Sequence, residues 1–286
     1  MKKLGALLAF VLLITSVFAG CSKTAQYTVN TDVNKGETAV VSFNVAAPWG
    51  SLTNNTLSSS RVKRFALYMN ALKPDIIGTQ EMNSAWLEKL GELMSDYDSY
   101  GVARGGDENE KKSELNAVFW LKGKYECVDK GTFWLSETPD TESKYQGAGC
   151  NRICTYVMLH NINEDKYILH LNTHLDNASD EARLFGAQVI ADKISEYRET
   201  SSVSDYEIVI TGDFNDYIES SACQFFADTY NVAKAQGNTY HEWGNISDGE
   251  PIDFVFSTLQ VKSTQKLDDI SNGYVSDHYG VYAVIG

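Results

Sequence analysis

Residues 208–215 read Ile-Val-Ile-Thr-Gly-Asp-Phe-Asn, and this stretch decides how the rest of the chain is interpreted. A short apolar run that ends in Gly-Asp-Phe-Asn is typical of a buried strand with polar side chains at its end. Because alternate side chains of a strand share a face, Asp213 and Asn215 can point the same way if the strand continues through Gly212. The simpler alternative is an Asx turn that only ends the strand.

Other apolar segments also end in, or contain, side chains that can do chemistry. Glu81 follows apolar residues 76–78, and His174 ends an alternating segment. Asp253 lies within a third apolar run, and Asp277 and His278 directly precede the last one. Carboxylates and histidines in this arrangement suit hydrolysis of a phosphoester, which needs a hard cation, an activated water and donors to the phosphate.

The oxygen donors among these residues are predicted metal ligands. Mg²⁺ prefers oxygen ligands and takes few carboxylates from a protein. Asn44, Glu81 and Asp277 each lie at or near the end of an apolar strand and meet that requirement. Glu81 could instead cap the helix predicted after it, and Asn44 could bond only to backbone.

The remaining polar groups are predicted to move protons and to orient the phosphate. Asp213 can accept a proton from water, and Asn215 can orient the phosphate or the metal. A histidine can stabilise or protonate a reacting group when a carboxylate fixes its tautomer, and Asp253 is the predicted partner of His278. A satisfied surface histidine is the alternative for His278. His160, His170 and His241 are predicted to be structural.

The order of strand-like and helix-like segments predicts an α/β sandwich in one domain over residues 39–286. Helices are predicted at 61–72, 84–94 and 179–199 from apolar residues at helical spacing. Residues 115–121 and 125–135 are predicted to be paired strands. Residues 153–161 and 166–173 are predicted to form a hairpin with a turn at 163–165.

The N-terminus has the pattern of a targeting segment. Lys2 and Lys3 precede an apolar run that is too short for a transmembrane helix, and Phe18-Ala19-Gly20-Cys21 follows it. We predict a lipoprotein signal peptide at residues 1–20, lipidation of Cys21 and a polar tether at residues 21–38. An ordinary secretory signal is the alternative, and both interpretations export the protein.

Composition restricts the partners and the redox chemistry. The formal net charge of −14 disfavours tight nonspecific binding to nucleic acid, which requires clustered Lys and Arg. Besides Cys21 there are four cysteines, at 127, 150, 154 and 223. Disulfides are permitted in an exported chain, but buried reduced cysteines are an equal alternative.

Six segments, taken together and in order, resemble the endonuclease/exonuclease/phosphatase superfamily. They are Ser42-Phe43-Asn44-Val45, Gln80-Glu81, Asn172-Thr173-His174-Leu175-Asp176, Gly212-Asp213-Phe214-Asn215, Ile252-Asp253-Phe254 and Ser276-Asp277-His278. The resemblance covers residues 39–286 and implies a four-layered α/β sandwich, with two packed mixed β-sheets flanked by helices. It also implies a metal at Glu81, Asn44 and Asp277, and a catalytic His278 oriented by Asp253.

The same resemblance implies roles for the other site residues. Asp213 would activate or position water, Asn215 would orient the phosphate, and His174 would contact the scissile phosphate. Residues 133–139 and 152–155 resemble an exported bacterial subgroup, in which Arg152 would bind a substrate phosphate. Arg152 could instead pair with Glu137 or Glu142.

These observations lead to one main hypothesis and two alternatives. The main hypothesis is a Mg²⁺-dependent phosphatase or phosphodiesterase, with Mn²⁺ as a second candidate ion, that acts on a small or lipid phosphate. We expect an exported monomer, held at the bacterial membrane or cell surface by its N-terminal lipid. The alternatives are an extracellular nuclease of the same family and a non-catalytic surface lipoprotein.

Overall fold

The computed structural model describes residues 32–47, 57–106, 113–268 and 270–286. The predicted signal peptide and Cys21 lie outside these residues. Within the described ranges no helix is long and apolar enough to span a membrane. The strands are β1 (Thr38–Asn44), β2 (Ile76–Met82), β3 (Tyr97–Tyr100), β4 (Leu115–Leu121), β5 (Tyr125–Trp134), β6 (Ile153–Asn161), β7 (Lys166–His174), β8 (Glu207–Asp213), β9 (Asn231–Lys234), β10 (Asp253–Ser257), β11 (Val261–Leu267) and β12 (Gly280–Ile285). The helices are α1 (Leu57–Leu72), α2 (Ser84–Leu93), α3 (Asp180–Thr200) and α4 (Ser221–Ala227).

The strands form two six-stranded sheets. The first sheet has the order β11-β12-β1-β2-β4-β3, and the second has the order β5-β6-β7-β8-β10-β9. Each sheet is mixed, because β1 and β2 are parallel in the first and β7 and β8 are parallel in the second, while the other neighbours are antiparallel. The first and last strands, β1 and β12, pair with each other, so both ends of the domain belong to one sheet.

Three apolar clusters define four layers. The inner cluster joins side chains of the two sheets, such as Val40 and Val209. A second cluster packs α1 and α2 on the outer face of the first sheet, and a third packs α3 and α4 on the outer face of the second. The central strands of this core therefore bury both faces, as expected for sheets covered on both sides, while the edge strands β5 and β11 keep exposed side chains. The predicted four-layered α/β sandwich is confirmed.

The local predictions are confirmed except at one turn. The β6–β7 hairpin and helices α1 to α3 form where the sequence pattern indicates. The prediction that residues 115–121 pair with 125–135 is wrong, because β4 lies between β2 and β3 while β5 pairs with β6 in the other sheet. Residues 122–124 turn the chain from one sheet to the other, and a three-residue turn between apolar runs gives the same local pattern as a hairpin.

The polar face of β7, which carries His170 and Asn172, is buried between the two sheets. Asn172 donates from Nδ2 to the carbonyls of Thr79 (2.8 Å) and Ala117 (3.0 Å) in the first sheet. His170 is buried beside Thr211, with 3.1 Å between Nε2 and Oγ1. Burial lowers the pKa of His170 to about 3, so its imidazole is neutral, and the structural role predicted for it agrees with this position.

The four cysteines after Cys21 are free thiols. Cys154 and Cys223 are buried and pack in the apolar layer between the second sheet and its helices. Cys127 and Cys150 are partly buried. The interpretation of these residues as reduced cysteines therefore fits the structure, and the disulfide alternative does not.

Candidate active site

Strand register brings the predicted site residues to one end of the two sheets. In the second sheet, Asp213 at the end of β8 lies opposite His174 on β7 and opposite Asp253 on β10. In the first sheet, Asn44 at the end of β1 lies opposite Gln80 on β2, next to Glu81. Because these positions are strand ends, their side chains project beyond the apolar core instead of into it.

Asp213 is the centre of the site. Its Oδ2 accepts a hydrogen bond from Nδ2 of Asn44 (2.8 Å) and lies 3.6 Å from Nε2 of His174 and 3.7 Å from Nε2 of His278. Its Oδ1 accepts the backbone N–H of Asn215 at 2.8 Å. Burial and the nearby Asp253 carboxylate raise the pKa of Asp213 to about 7. The carboxyl group can therefore exchange a proton near neutral pH.

His278 and Asp253 form the predicted pair. Nδ1 of His278 lies 3.0 Å from Oδ2 of Asp253, and both residues are buried. Burial alone would lower the pKa of His278, but the carboxylates of Asp253 and Asp213 outweigh it and raise the pKa to about 10. The imidazole is therefore cationic at neutral pH, with Nε2 directed toward Asp213.

His174 has the opposite protonation state. Burial and the nearby guanidiniums of Arg152 and Arg104 lower its pKa well below the usual range. The site thus holds one neutral histidine and one cationic histidine on either side of Asp213. Two histidines whose pKa values are shifted in opposite directions are typical of sites that separate acid and base roles.

Glu81 sits on a distorted part of β2. The register with β4 shifts between Thr79 and Met82, and Glu81 has a φ of +58°, which is uncommon for a residue other than glycine. Its Oε1 accepts from Nδ2 of Asn44 (2.9 Å) and its Oε2 accepts from the backbone N–H of Ala47 (2.7 Å). Backbone strain of this kind costs about 1–3 kcal/mol and often marks a functional position.

Asn44 contacts both carboxylates through its NH₂ group, because Nδ2 donates to Glu81 and to Asp213. Its Oδ1 accepts the backbone N–H of Ala46 at 2.9 Å. In this arrangement Asn44 orients the two carboxylates, and its oxygen is turned away from them. Ala46, two residues after Asn44, adopts a left-handed φ of +54°, and its methyl side chain offers no metal ligand.

Asp277 completes the acidic side of the site. Its Oδ1 accepts a hydrogen bond from Oγ of Ser276 at 3.2 Å, and its carbonyl accepts the N–H of His241. Burial and the Glu81 carboxylate raise the pKa of Asp277, although the adjacent His278 opposes this shift. Asn215, also at the rim, has a φ of +52° and donates from Nδ2 to the carbonyl of Leu175 at 3.0 Å.

A buried arginine that the sequence did not indicate holds the surrounding loops. Arg61 of α1 donates to the carbonyls of Val275 (2.6 Å) and Ala46 (2.7 Å), which belong to the loops before Asp277 and after β1. Its guanidinium lies about 5 Å from the rings of Trp86 and Trp243. Burial lowers the pKa of Arg61 to about 10, although Asp277 and Glu81 oppose this shift.

Arg152 points into the same cleft and does not pair with Glu137 or Glu142. Its Nη2 donates to Oδ1 of Asn177 (3.1 Å), and its Nε lies 3.6 Å from Oδ2 of Asp176. Nε of Arg152 is buried and makes no hydrogen bond within the described residues. The side chain lines the cleft beside His174, where its Nη groups, unlike the buried Nε, can donate to a ligand.

The carboxylate of Asp176 orients this arginine and is itself held by backbone N–H groups. It accepts the backbone N–H groups of Gly149, Ala178 and Ser179 at 2.9–3.1 Å. Arg183 donates to the backbone carbonyl of Asp176 and not to its carboxylate. The ion pairs of Arg183 are with Asp180 and Asp216.

These groups surround an open cleft of about 380 Å³. The lining includes residues, such as Arg104, Glu114 and Tyr240, for which the sequence pattern predicted no role in the site. The lining residues are Glu81, Arg104, Glu114, Cys150, Arg152, His174, Asn177, Asp213, Asn215, Tyr240, Ile252, Asp277 and His278. Two clefts of similar size, about 430 and 480 Å³, lie toward the opposite end of the strands. Among the described residues, groups of histidines and acids close enough to share a metal ion occur only in the site around Asp213.

This fold, with this set of carboxylates and histidines at one end of its sheets, is that of a phosphoester hydrolase. The chain belongs to the endonuclease/exonuclease/phosphatase family, whose sequence profile matches residues 41–278. Enzymes of this family depend on divalent metals. No curated protein matches the chain.

Solved structures of bacterial relatives cover the whole domain. An endonuclease/exonuclease/phosphatase from Bacteroides vulgatus is 29% identical, with a TM-score of 0.78 over 88% of this chain and 99% of its own. A mannosyl-6-phosphatase from Bacteroides thetaiotaomicron VPI-5482 is 27% identical, with a TM-score of 0.75 over 87% and 99%. The human Nocturnin catalytic domain, 16% identical with a TM-score of 0.67 over 89% and 96%, shares the fold.

Proposed function

We propose that this protein is a divalent-metal-dependent phosphomonoesterase that acts on a small phosphorylated compound, with sugar phosphates as the favoured class. The observation that carries the proposal is the arrangement of Asp213 between a neutral His174 and a cationic His278. This arrangement lies in a cleft whose size, about 380 Å³, is near the lower end of the range for small-molecule sites.

The residues present fit a hard divalent cation. Ligand atoms of Glu81, His174 and Asp213 lie within 4.8 Å of one another, and Asp277 adds a second carboxylate near Glu81. Burial is the main cause of the raised pKa of Asp277, and repulsion from the Glu81 carboxylate adds to it; a bound cation would relieve that repulsion. We propose Glu81 and Asp277 as ligands of Mg²⁺, or of Mn²⁺, with Asn44 holding the carboxylates in place. Such an ion, when bound, supplies charge stabilisation to phosphate oxygens and increases the acidity of water.

The residues of the chain have separate tasks in the proposed reaction. Asp213, whose pKa is raised to about 7, accepts a proton from the attacking water. The hydrogen bonds from Asn44 and Asn215 fix both of its oxygens in place. The cationic His278 donates from Nε2 to a phosphate oxygen, and Asp253 keeps it protonated.

Two further residues complete the phosphate site in this proposal. Arg152, held by Asn177 and Asp176, directs its Nη groups to the phosphate. His174 contacts the scissile phosphate in its neutral form. Because the reaction creates charge on phosphate oxygens, donors that are already fixed in place stabilise the transition state without reorganisation.

The choice of a small monoester is supported by charge and by the bacterial relative. A formal charge of −14 is unfavourable for a long polyanion, whereas one phosphate can be held by a metal and two or three donors. The mannosyl-6-phosphatase is similar over nearly its whole length. We therefore favour a sugar phosphate over the nuclease alternative and over a non-catalytic lipoprotein.

We also propose that residues 1–20 direct export and that Cys21 is lipidated. The tether predicted at residues 21–38 ends at residue 37, because Thr38 is already paired in β1. Strand β1 runs from Thr38 toward Asn44, so the chain enters the domain at the end opposite the cleft. A seven-residue strand is about 23 Å long. An anchor at that end favours a substrate that reaches the cleft from solution over a lipid of the same membrane. Loss of the protein from the membrane fraction in the Cys21→Ala variant is the expected result, and an unchanged distribution would contradict the anchor.

Turnover of a substrate panel tests the proposed activity, and it is followed by phosphate release for the monoesters, by p-nitrophenol release for the diester and by strand cleavage for the DNA. The panel contains hexose phosphates, inositol phosphates, bis(p-nitrophenyl) phosphate and plasmid DNA, each with Mg²⁺ and with excess chelator. We expect fastest turnover of a monoester, loss with chelator, and a fall of about 10³-fold or more in Asp213→Ala. Asp205→Ala, an exposed acid at the far end of the sheets, is the matched control. Plasmid cleavage faster than every monoester would replace this proposal with the nuclease.

A further inference from the structure

The cleft has two different flanks. Arg152 directly precedes β6, and Tyr240 packs against His278 with 5.0 Å between ring centroids. On the Tyr240 flank Ile252 directly precedes β10, and because β6 and β10 are three strand positions apart in the sheet, the starts of these two strands are about 14 Å from each other. Tyr240 and Ile252 give the His278 flank an apolar surface, and the Arg152 flank is charged.

The charged flank contains an ion pair with no part in the proposed reaction. Nη1 and Nη2 of Arg104 donate to Oε2 (2.8 Å) and Oε1 (3.2 Å) of Glu114 in a bidentate arrangement. Only 12% and 11% of the two side chains are exposed, and both line the cleft. A small extension of the cleft is lined by this pair together with Asn116, Arg152 and His174, so the pair is next to the phosphate position.

The pair is held rigidly by its backbone. The N–H of Arg104 donates to the carbonyl of Glu114 (2.8 Å), and the carbonyl of Arg104 accepts from Nε1 of Trp134 (2.7 Å) and Nδ2 of Asn151 (3.1 Å). These bonds fix the place where the two side chains enter the cleft. A rigid ion pair can present its oxygens and N–H groups to a ligand without further loss of side-chain entropy.

Neutral ligand groups fit this flank better than a second anion. The charges of Arg104 and Glu114 cancel, and Asp176 opposes Arg152 in the same way, so the flank adds no net positive charge for another phosphate. A buried ion pair of this kind contributes little to the free energy of unfolding. Hydroxyl groups, which both donate and accept, match a fixed carboxylate beside a guanidinium.

We propose that Glu114, oriented by Arg104, determines specificity by accepting a hydrogen bond from a hydroxyl group of the substrate. The substrate class is then a phosphorylated sugar or polyol, with its hydroxyls on the Arg104–Glu114 flank and its less polar face toward Tyr240. This inference rests on the proposed phosphomonoesterase function and adds the group that distinguishes a polyol phosphate from an alkyl or aryl phosphate. A ligand that lacks the hydroxyl reacts more slowly, because it leaves the buried Glu114 carboxylate without this hydrogen bond.

The wild-type enzyme provides the first test. We would measure kcat/KM for a hexose 6-phosphate, for its monodeoxy analogues and for p-nitrophenyl phosphate, which has no hydroxyl. At least one deoxy analogue should lose about 10-fold or more in kcat/KM, because a hydrogen bond to a charged group contributes that much. If every deoxy analogue reacts as well as its parent, the inference is overturned without the need for any variant.

The variant Glu114→Gln provides the second test. The ratio of kcat/KM for the hexose phosphate to that for p-nitrophenyl phosphate should fall about 10-fold or more. The matched control is Glu142→Gln, because Glu142 accepts the N–H of Gly106 in the same loop region but does not line the cleft. The control should keep the wild-type ratio.

The outcomes separate the two proposals. A parallel fall for both substrates, with the ratio within about 3-fold of wild type, would assign Glu114 a structural role and overturn the inference alone. A wild-type enzyme that releases phosphate from none of the monoesters would overturn the proposed function and this inference together.

Discussion

The Nδ1 atom of His278 lies 3.0 Å from Oδ2 of Asp253, although the two residues are 25 positions apart in the chain. The second carboxylate oxygen, Oδ1 of Asp253, is buried and accepts no hydrogen bond within the described residues. The charge of Asp253 is therefore compensated mainly through His278. This pairing keeps the imidazole cationic and fixes which nitrogen faces Asp213.

Removing the charge of Asp253 should lower activity strongly. In Asp253→Asn we expect kcat to fall about 10²- to 10⁴-fold, because His278 loses the carboxylate that holds its proton and tautomer. In the metal-free protein the pKa of His278, followed by NMR of its ring protons, should fall from about 10 toward its ordinary value. Asp205→Asn is the control. A variant with wild-type kcat would show that the pair is structural.

Loss of Glu81 should weaken metal binding more than it weakens the fold. In Glu81→Gln we expect Mg²⁺ affinity, measured by calorimetry, to fall at least about 10-fold, because the anionic ligand is lost. The amide oxygen can still accept one of the two hydrogen bonds that Asn44 and Ala47 donate to the carboxylate. Addition of Mg²⁺ or Mn²⁺ after treatment with chelator should restore activity to the wild-type protein. Equal affinities in the variant and the wild type would exclude Glu81 as a ligand.

The neutral His170 should make the fold sensitive to acid. Its pKa is lowered to about 3 in the folded protein, against an ordinary value near 6.5, so the unfolded chain binds a proton that the folded chain excludes. This contribution to stability is complete above about pH 6.5 and is lost as the pH falls toward 3. Between pH 7 and pH 5 it amounts to about 2 kcal/mol.

Comparison with His170→Gln isolates this effect. The free energy of unfolding of both proteins would be measured with urea at pH 7 and at pH 5. Its decrease from pH 7 to pH 5 should be about 2 kcal/mol smaller in the variant, because the variant lacks the titrating imidazole. Other buried histidines titrate in both proteins and cancel in the comparison. An identical pH dependence in the two proteins would contradict a buried neutral His170.

Alanine substitutions at two glycines should change the stability of the fold in opposite directions. A Cβ at Gly78 would lie 2.0 Å from Oγ1 of Thr211 and 2.7 Å from Oδ1 of Asn172, so Gly78→Ala should destabilise the fold by about 3 kcal/mol. A Cβ at Gly91, within α2, would meet nothing within 4 Å. Gly91→Ala should therefore stabilise by about 0.5–1 kcal/mol. Thermal unfolding of both variants checks the pair, and similar Tm values would contradict the close packing of the two sheets at Gly78.

The sequence by itself determined the elements and most of the site. Apolar periodicity located β8, the β6–β7 hairpin and helix α3, because these signals are local. Strand ends occupied by Asp213, His174 and Glu81 predicted an active site, because a polar group that ends a buried strand needs a partner or a function. The pairing of Asp253 with His278 followed from chemistry, since a buried histidine and a buried carboxylate stabilise each other.

Only the tertiary structure decided relationships between residues that are distant in the sequence. The turn at 122–124 separates two sheets instead of closing a hairpin, because pairing partners are chosen by the packing of whole layers. Asn172 is buried between the sheets, where backbone carbonyls of the other sheet satisfy its NH₂ group. The Arg104–Glu114 pair and the buried Arg61 enter the site from segments whose local sequence resembles an ordinary charged surface. Charged residues of that kind become part of a site only when the fold places them beside it.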